Sequence, residues 1–306
     1  MNPRPGDYKS GNCLFEKREQ INRDKIKFTD EDINEIIYSL KTANRKKRYI
    51  DSVLRRLNDF AKAVNYECDF KDVVDFLEKI KKRYSYSGYH KYVLDVRRLL
   101  KSVNAPFADK IKLPKTPKRR KIIIRREDVQ QIILNIQKYE RNEERKLRAI
   151  SAFLIAATSG IRAEELYKLT LNDIDLESRI IYIKFGDKAG SDKTVKDYEE
   201  RITFFNEEAK EALLKYLEVY GCNNSVLFSE NSLKRMFKTY PEIGKLRIKH
   251  MRKFFSQEWD RLGGPTSIKK MLMGHSISND VDLAHYDFQD PEDLREIYDR
   301  VGIRIF

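Results

Sequence analysis

The first third of the chain carries apolar residues at helical spacing between polar, largely basic positions. In FTDEDINEIIYSL, isoleucines recur three and four residues apart, and Thr29 stands where a side chain caps a helix start, with Asp32 three residues on. Three more stripes follow before Asn104, and Asp69 is placed to cap the third helix of the set. The pattern predicts a small four-helix domain at 29–108, behind a polar, flexible segment at 1–28.

Beyond residue 126 the pattern predicts a second, larger domain at 127–306. An amphipathic helix near its start precedes ISAFLIAAT, an apolar run typical of a buried helix. RIIYIKF and RITFF have the composition of two short strands around a long polar loop. The last residues, 291–306, form an apolar-faced tail that either folds back on its own domain or docks on a neighbour. The predicted fold class is mainly α with a small antiparallel β-sheet.

The segment between the two domains is strongly basic. Lys and Arg exceed Asp and Glu by 62 to 48, a net charge of +14, which favours a polyanionic partner. In KIKLPKTPKRRKIIIRR nine of seventeen residues are basic, and two prolines prevent a continuous helix. We expect a linker at 109–126 that lies along a DNA backbone, although a solvated tether would have the same composition. The residues expected to contact DNA are Lys115, Lys118, Arg119, Arg120 and Lys121.

Several classes of protein are disfavoured by what the sequence lacks. Its three cysteines are far apart, which argues against a disulfide scaffold or a zinc ribbon. It has no long apolar run and no apolar start, so we expect a soluble, cytoplasmic protein without a membrane partner. There is no phosphate-loop motif, and no H-x-x-x-H pair. A metal site at His275, Asp282 and His285 is therefore the weaker interpretation, and we expect no cofactor.

Two stretches could hold a phosphate with arginine. In TSGIRAEELYKL, Gly160 breaks the buried helix and a new one starts near Arg162, with Glu165 one turn later on the same face. This pair could be an ordinary surface ion pair or an oriented phosphate-binding arginine. In LRIKHMRKFF, Lys249 and Arg252 share one helical face, whereas His250 is turned about 200° away from Arg252 on an ideal helix.

A third stretch, KMLMGHSISNDVDLAHYDFQD, holds two of the four histidines of the chain. Gly274 can end the preceding helix as a left-handed cap, which leaves His275 at a helix end facing a cleft. Tyr286 follows eleven residues later, directly after His285. Each of these features is weak alone, but their order along the chain is specific.

Taken in order, an arginine with Glu three residues on, a lysine-bearing hairpin, K-x-x-R, Gly-His and then Tyr resemble the tyrosine recombinase (phage-integrase) catalytic domain. The basic four-helix domain and the linker are similar to the core-binding domain and connector of that family. The resemblance covers roughly residues 29 to 306. Lysine at 249, where most of the family has histidine, is similar to integrases of archaeal viruses and plasmids. The gap from His275 to Tyr286 implies a small insertion.

The resemblance implies a role for each matched residue. Arg162 and Arg252 would clamp the scissile phosphate, Glu165 would support the first arginine, and Tyr286 would be the nucleophile. His275 and Lys249 would complete the phosphate pocket, Lys249 either as a base or as a hydrogen-bond donor. The general acid would be the hairpin lysine, for which Lys188 fits best and Lys193 or Lys184 are alternatives.

The same resemblance implies the reaction and the partners. We expect site-specific recombination of double-stranded DNA through a 3′-phosphotyrosyl intermediate and a Holliday junction, without metal or ATP. The active form would be a homotetramer on DNA, joined by the tail at 294–306, with a monomer in free solution. Two alternatives stay open: a DNA-binding protein on the same fold that has lost catalysis, and a topoisomerase of the related tyrosine (IB) type.

Overall fold

A computed structural model describes residues 25–115, 117, 122–184, 200–221, 226–275 and 290–306. The chain divides into two compact units, Met1–Arg120 and Lys121–Phe306, and each has its own apolar core. Both units are mainly helical, and the larger one holds a small antiparallel sheet, as the sequence pattern predicted. None of the helices in the described part of the chain is long and apolar enough to cross a membrane.

Four helices build the described part of the N-terminal unit, and two of them begin at the predicted caps. The Thr29 hydroxyl accepts a hydrogen bond from the Asp32 N–H, and the Asp32 carboxylate accepts one from the Thr29 N–H. Asp69 and Asp72 repeat this reciprocal arrangement. The helices are α1 Asp30–Thr42, α2 Lys47–Val64, α3 Phe70–Arg83 and α4 Tyr86–Ser102, followed by a 3-10 turn at Ala108–Lys110.

The packed part of this unit begins before Thr29, where the sequence pattern had placed its start. Strand β1 (Ile26–Lys27) pairs antiparallel with β2 (Glu67–Cys68). The ring of Phe28 is buried and stacks on Phe60, with 5.8 Å between centroids. Residues 26–28, which the sequence analysis assigned to the flexible segment, therefore belong to the packed unit. A two-residue strand has no periodicity, which is why the pattern did not indicate it.

The C-terminal unit is built around one buried helix. This helix, α6 (Glu143–Ser159), is buried without interruption from Ala149 to Ser159, and α8 (Glu207–Tyr220) and α10 (Ile248–Arg261) pack along it. The predicted strands are β4 (Ile180–Ile183) and β5 (Arg201–Phe204), which pair antiparallel with Ile181 opposite Thr203. A third short strand, β3, was not predicted. The elements are α5 Arg126–Tyr139, α6 Glu143–Ser159, α7 Ala163–Leu166, β3 Ile174–Asp175, β4 Ile180–Ile183, β5 Arg201–Phe204, α8 Glu207–Tyr220, α9 Glu230–Thr239, α10 Ile248–Arg261, α11 Thr266–Met273 and α12 Pro291–Val301, with 3-10 turns at Leu171–Asp173 and Pro241–Ile243.

The C-terminal tail packs on the domain of its own chain. Ile303 and Ile305 are buried in its core, and the Glu208 carboxylate accepts the N–H groups of Ile305 and Phe306 at 2.8 and 3.0 Å. The sequence left two outcomes open for the tail, folding back on its own domain or docking on a neighbour. In the single chain the tail folds back. Docking of this apolar face on a neighbour would require the tail to leave these contacts.

Candidate active site

The first arginine of the site stands at a sharp break between two helices. α6 ends at Gly160, which adopts a left-handed backbone with φ +65°. A Cβ at Gly160 would lie 2.4 Å from the Phe255 ring, so the position excludes any side chain. The chain turns there, and Arg162 becomes the residue before α7. The predicted helix break and restart are therefore confirmed.

Glu165 holds Arg162 from one turn along α7, as predicted. Its carboxylate accepts the backbone N–H of Arg162 at 2.9 Å and the Nη1 of the same residue at 3.1 Å. The pair is not an ordinary surface ion pair, because the Arg162 and Glu165 side chains are only 18% and 10% exposed. Burial raises the pKa of Glu165. Arg201 lowers this pKa through its hydrogen bonds and its charge, and Arg162 lowers it through its hydrogen bonds. The lowering effects are larger together, so the pKa of Glu165 lies below its ordinary value.

Arg201, the first residue of β5, is a part of this cluster that the sequence analysis missed. Its Nη1 and Nη2 donate to the two carboxylate oxygens of Glu165 at 3.2 and 2.6 Å. The available signal was the alternation in RITF, which puts Arg201 and Thr203 on one face of the strand. The polar face of an antiparallel strand commonly meets solvent, whereas here Thr203 is fully buried and the Arg201 side chain is 7% exposed.

The second arginine connects the ends of two helices. Arg252, in α10, donates from Nη1 to the Gly160 carbonyl and from Nη2 to the Met273 carbonyl, each at 2.6 Å. The last carbonyls of a helix have no partner within it, so remote donors can satisfy them. The α6 end is completed in the same way by Tyr298, which donates to Thr158 O, and by Thr203, which donates to Ser159 O.

Three arginines meet at the C-terminal end of α11. The carbonyls of Leu272, Met273 and Gly274 accept hydrogen bonds from three guanidinium groups, and Gly274 has the predicted left-handed cap conformation (φ +60°, ψ +55°). These contacts bring the two predicted arginines to one place, although they are ninety residues apart in the sequence. Arg201 Nε donates to the Leu272 carbonyl at 3.1 Å, Arg252 Nη2 to the Met273 carbonyl at 2.6 Å and Arg162 Nη2 to the Gly274 carbonyl at 2.6 Å.

His275 follows directly on this helix end. Its backbone N–H closes the cap by donating to the Lys270 carbonyl at 2.9 Å, and its ring is accessible to solvent. Partial burial of the ring and the positive charges of Arg252 and Arg162 lower the pKa of His275. The imidazole is therefore neutral at pH 7 and can accept or donate a proton.

The K-x-x-R motif is oriented as the helical spacing predicted. Lys249 is exposed near the start of α10, one turn before Arg252. His250 serves as a cap instead, because its Nδ1 accepts the backbone N–H of Arg247 at 2.8 Å. Burial, followed by the charges of Lys249 and Arg247, lowers the pKa of His250. This histidine is thereby committed to helix structure, away from the arginine cluster.

Several predicted residues lie outside the described part of the chain. Lys184 is described at the end of β4, with its Nζ 5.1 Å from the centroid of the Tyr182 ring, and Lys115 is exposed while its carbonyl accepts the Tyr86 hydroxyl. Among the described residues no group of three His, Cys, Asp or Glu side chains could hold a metal ion. The predicted residues that lie outside the described part of the chain are Lys118, Arg119, Arg120, Lys121, Lys188, Lys193, Asp282, His285 and Tyr286.

Comparison with known proteins gives a family and a fold. The model of the phage integrase family matches residues 123–286. Tyrosine recombinase XerA of Saccharolobus solfataricus is 31% identical over 200 residues, which is 65% of this chain and 52% of that protein. The chain thus aligns with about half the length of this curated relative.

Two solved structures share the fold. One is a lambda integrase tetramer bound to a Holliday junction, with a TM-score of 0.62, 12% identity and coverage of 89% of this chain and 83% of that one. The other is the Tn1549 transposon integrase in complex with transposon right end DNA, with a TM-score of 0.58, 16% identity and coverage of 87% and 98%. Since the family model spans more than half of the sequence and includes both predicted arginines, the chain belongs to the phage integrase family.

Proposed function

We propose that this chain is a site-specific DNA recombinase that breaks and rejoins DNA through Tyr286. One observation carries the proposal: Arg162 and Arg252 are brought to adjacent carbonyls at the end of α11, beside a neutral His275. Two arginines and a neutral imidazole around one point suit the recognition of a phosphodiester. The membership of the phage integrase family supports the same reaction.

The arginines act on the phosphate. A guanidinium presents five N–H donors in a fixed plane, enough to hold a backbone carbonyl and contact a phosphate at the same time. Arg162 and Arg252 spread over the nonbridging oxygens and stabilise the negative charge that develops at the pentacoordinate phosphorus. Lys249, one turn before Arg252 on α10, adds a hydrogen-bond donor to the same oxygens.

The bond exchange replaces one phosphodiester by another of similar free energy. The Tyr286 oxygen forms a bond to phosphorus while the bond from phosphorus to the 5′ oxygen breaks, leaving a 3′-phosphotyrosyl linkage. The tyrosine proton passes to His275, and the departing 5′ oxygen takes a proton from the hairpin lysine, Lys188. One phosphodiester replaces another, so the step uses neither ATP nor a metal. The free 5′ hydroxyl of a second duplex then attacks this phosphorus, the bond to the Tyr286 oxygen breaks, and the tyrosine takes back a proton. The reciprocal exchange on the other duplex completes a Holliday junction.

The proposal extends to assembly on double-stranded DNA. Recombination of two duplexes cuts four strands, and one tyrosine per copy makes four copies the number required. The basic linker at 109–126 follows the DNA backbone, and the reaction takes place in the cytoplasm. Tail-mediated contact between copies requires Ile303 and Ile305 to leave their own domain, which favours a monomer in the absence of DNA.

A covalent trap tests the proposal. The protein is incubated with a library of nicked duplexes of random sequence, the mixture is denatured, and DNA that stays bound to protein is sequenced. A nick beside the cleavage point releases a short fragment and leaves the adduct in place. We expect adducts on a defined sequence, none from Tyr286→Phe, and normal yield from the matched control Tyr139→Phe at the end of α5.

The other outcomes separate the alternatives. An adduct from Tyr286→Phe would show that another residue is the nucleophile. Salt-sensitive DNA binding by the wild type without an adduct would support a binding protein that has lost catalysis. Relaxation of supercoiled plasmid by monomeric protein without sequence preference would support the topoisomerase alternative.

A further inference from the structure

We propose that Arg201 is a positioning residue of the recombinase site, which sets the orientation of Arg162 through Glu165 and the position of His275 through the end of α11. The inference rests on the proposed function, because it concerns the rate of DNA cleavage. Neither the sequence motifs nor the family resemblance points to residue 201.

The first step is the shared carboxylate. Arg201 donates to both oxygens of Glu165 at 3.2 and 2.6 Å, and Arg162 Nη1 donates to Oε1 of the same carboxylate at 3.1 Å. A two-point contact between a guanidinium and a carboxylate fixes both planes. Arg162 is therefore oriented by a group that is itself held in place from β5, a different element.

The second step is the helix end. Arg201 Nε donates to the Leu272 carbonyl at 3.1 Å, and the same side chain packs against the backbone of Gly274. A Cβ at residue 274 would lie 2.7 Å from Arg201 Cδ and Nε. The Arg201 side chain thus determines the position of the Glu165 carboxylate and also that of the backbone immediately before His275.

The third step is burial. The Arg201 side chain is 7% exposed, less than that of Arg162, and its contacts point to Glu165 and to the backbone. A side chain in this position does not contact the phosphate of a bound duplex. Its effect on the reaction passes through Glu165, Arg162 and His275, which makes Arg201 a positioning residue.

The competing interpretation is that Arg201 only stabilises the fold, as buried ion pairs can. The two interpretations differ in what they do to a folded, DNA-saturated protein. A stabilising role lowers the melting temperature and leaves the cleavage rate of the folded protein unchanged. A positioning role lowers the single-turnover cleavage rate at saturating DNA while the Kd for DNA stays the same.

The experiment compares Arg201→Gln and Arg201→Lys with Arg148→Gln. Arg148 is a matched control in α6, 15% exposed and hydrogen-bonded to Glu144, Tyr216 and Ser232. We expect Arg201→Gln to lower the cleavage rate on the order of 100-fold with the Kd within about threefold of wild type, the loss typical of a displacement near 1 Å. Arg201→Lys keeps the charge but loses the two-point contact, so we expect a loss of about 10-fold.

A double-mutant cycle with Glu165→Gln identifies the route of the effect. If Arg201 acts through Glu165, Arg201→Gln lowers the rate far less in the Glu165→Gln background than in wild type. The inference is overturned if folded Arg201→Lys and Arg201→Gln cleave at the wild-type rate, or if Arg148→Gln loses as much. Should Arg201→Gln not fold, Arg201→Lys decides alone. Absence of an adduct from the wild type would overturn the proposed function itself, and this inference with it.

Discussion

Replacement of Gly274 by alanine tests the cap that precedes His275. At φ +60° an L-residue is strained by about 1–2 kcal/mol. The new Cβ would also lie 2.7 Å from Arg201, a side chain that is buried and held by Glu165 and Leu272. Displacing it weakens at least one hydrogen bond of a charged group, worth about 1.5–3 kcal/mol. The two costs together are about 2.5–5 kcal/mol.

Gly263→Ala is the matched control, because it has the strain without the clash. Gly263 adopts φ +75°, and a Cβ there meets no atom within 4 Å. We therefore expect a cost of only about 1–2 kcal/mol. In a unit of this size 1 kcal/mol corresponds to about 2–4 °C in Tm, so Gly263→Ala should lower the Tm by about 2–8 °C and Gly274→Ala by about 5–20 °C.

The assay is thermal unfolding followed by circular dichroism, with the single-turnover cleavage rate measured on the same preparations. Gly274→Ala should also cleave more slowly, because the end of α11 and the three arginines shift together. Gly263→Ala should cleave at the wild-type rate below its melting transition. Equal changes in Tm for the two variants would refute the argument, since the contact between Gly274 and Arg201 would then have no energetic weight.

Three further predictions concern the site and the tail. The pKa of Glu165 is lower in the folded than in the unfolded state, so its contribution to stability is complete above about pH 5 and is lost as the pH falls through the folded pKa. Urea unfolding from pH 3 to 7 should therefore show a free energy of unfolding that falls with decreasing pH in the wild type and falls less in Glu165→Gln. The His275 ring should titrate by NMR with a midpoint below about 6.5, and Arg252→Gln should raise that midpoint by removing a nearby positive charge; an unchanged midpoint in the variant would contradict the assignment. Deleting 303–306 removes Ile303 and Ile305 from the core and should lower the free energy of unfolding by about 3–6 kcal/mol. The control Phe306→Ala, at a residue 56% exposed, should have little effect. Equal stability of the truncated and wild-type proteins would show that the tail does not pack on its own domain.

The sequence alone determined the features that depend on neighbours along the chain. Helix starts at Thr29 and Asp69 follow from side chains that reach the backbone three residues on. The breaks at Gly160 and Gly274 follow from the freedom of glycine at positive φ. The spacing of Arg162 from Glu165, and of Lys249 from Arg252, placed each pair on one helical face.

Only the tertiary structure decided which of these local pieces share a site and what holds them there. Arg201 and Glu165 are separated by 36 residues, and nothing in the alternation of a four-residue strand distinguishes a face that meets solvent from one that meets another helix. The tail shows the same limit, because an apolar face fits its own domain or a neighbour equally well by composition, whereas the contacts of Glu208 with its backbone hold it on its own domain in the single chain. Local propensity acts over a few residues, whereas burial depends on which distant segment covers a surface, and that is a property of the fold.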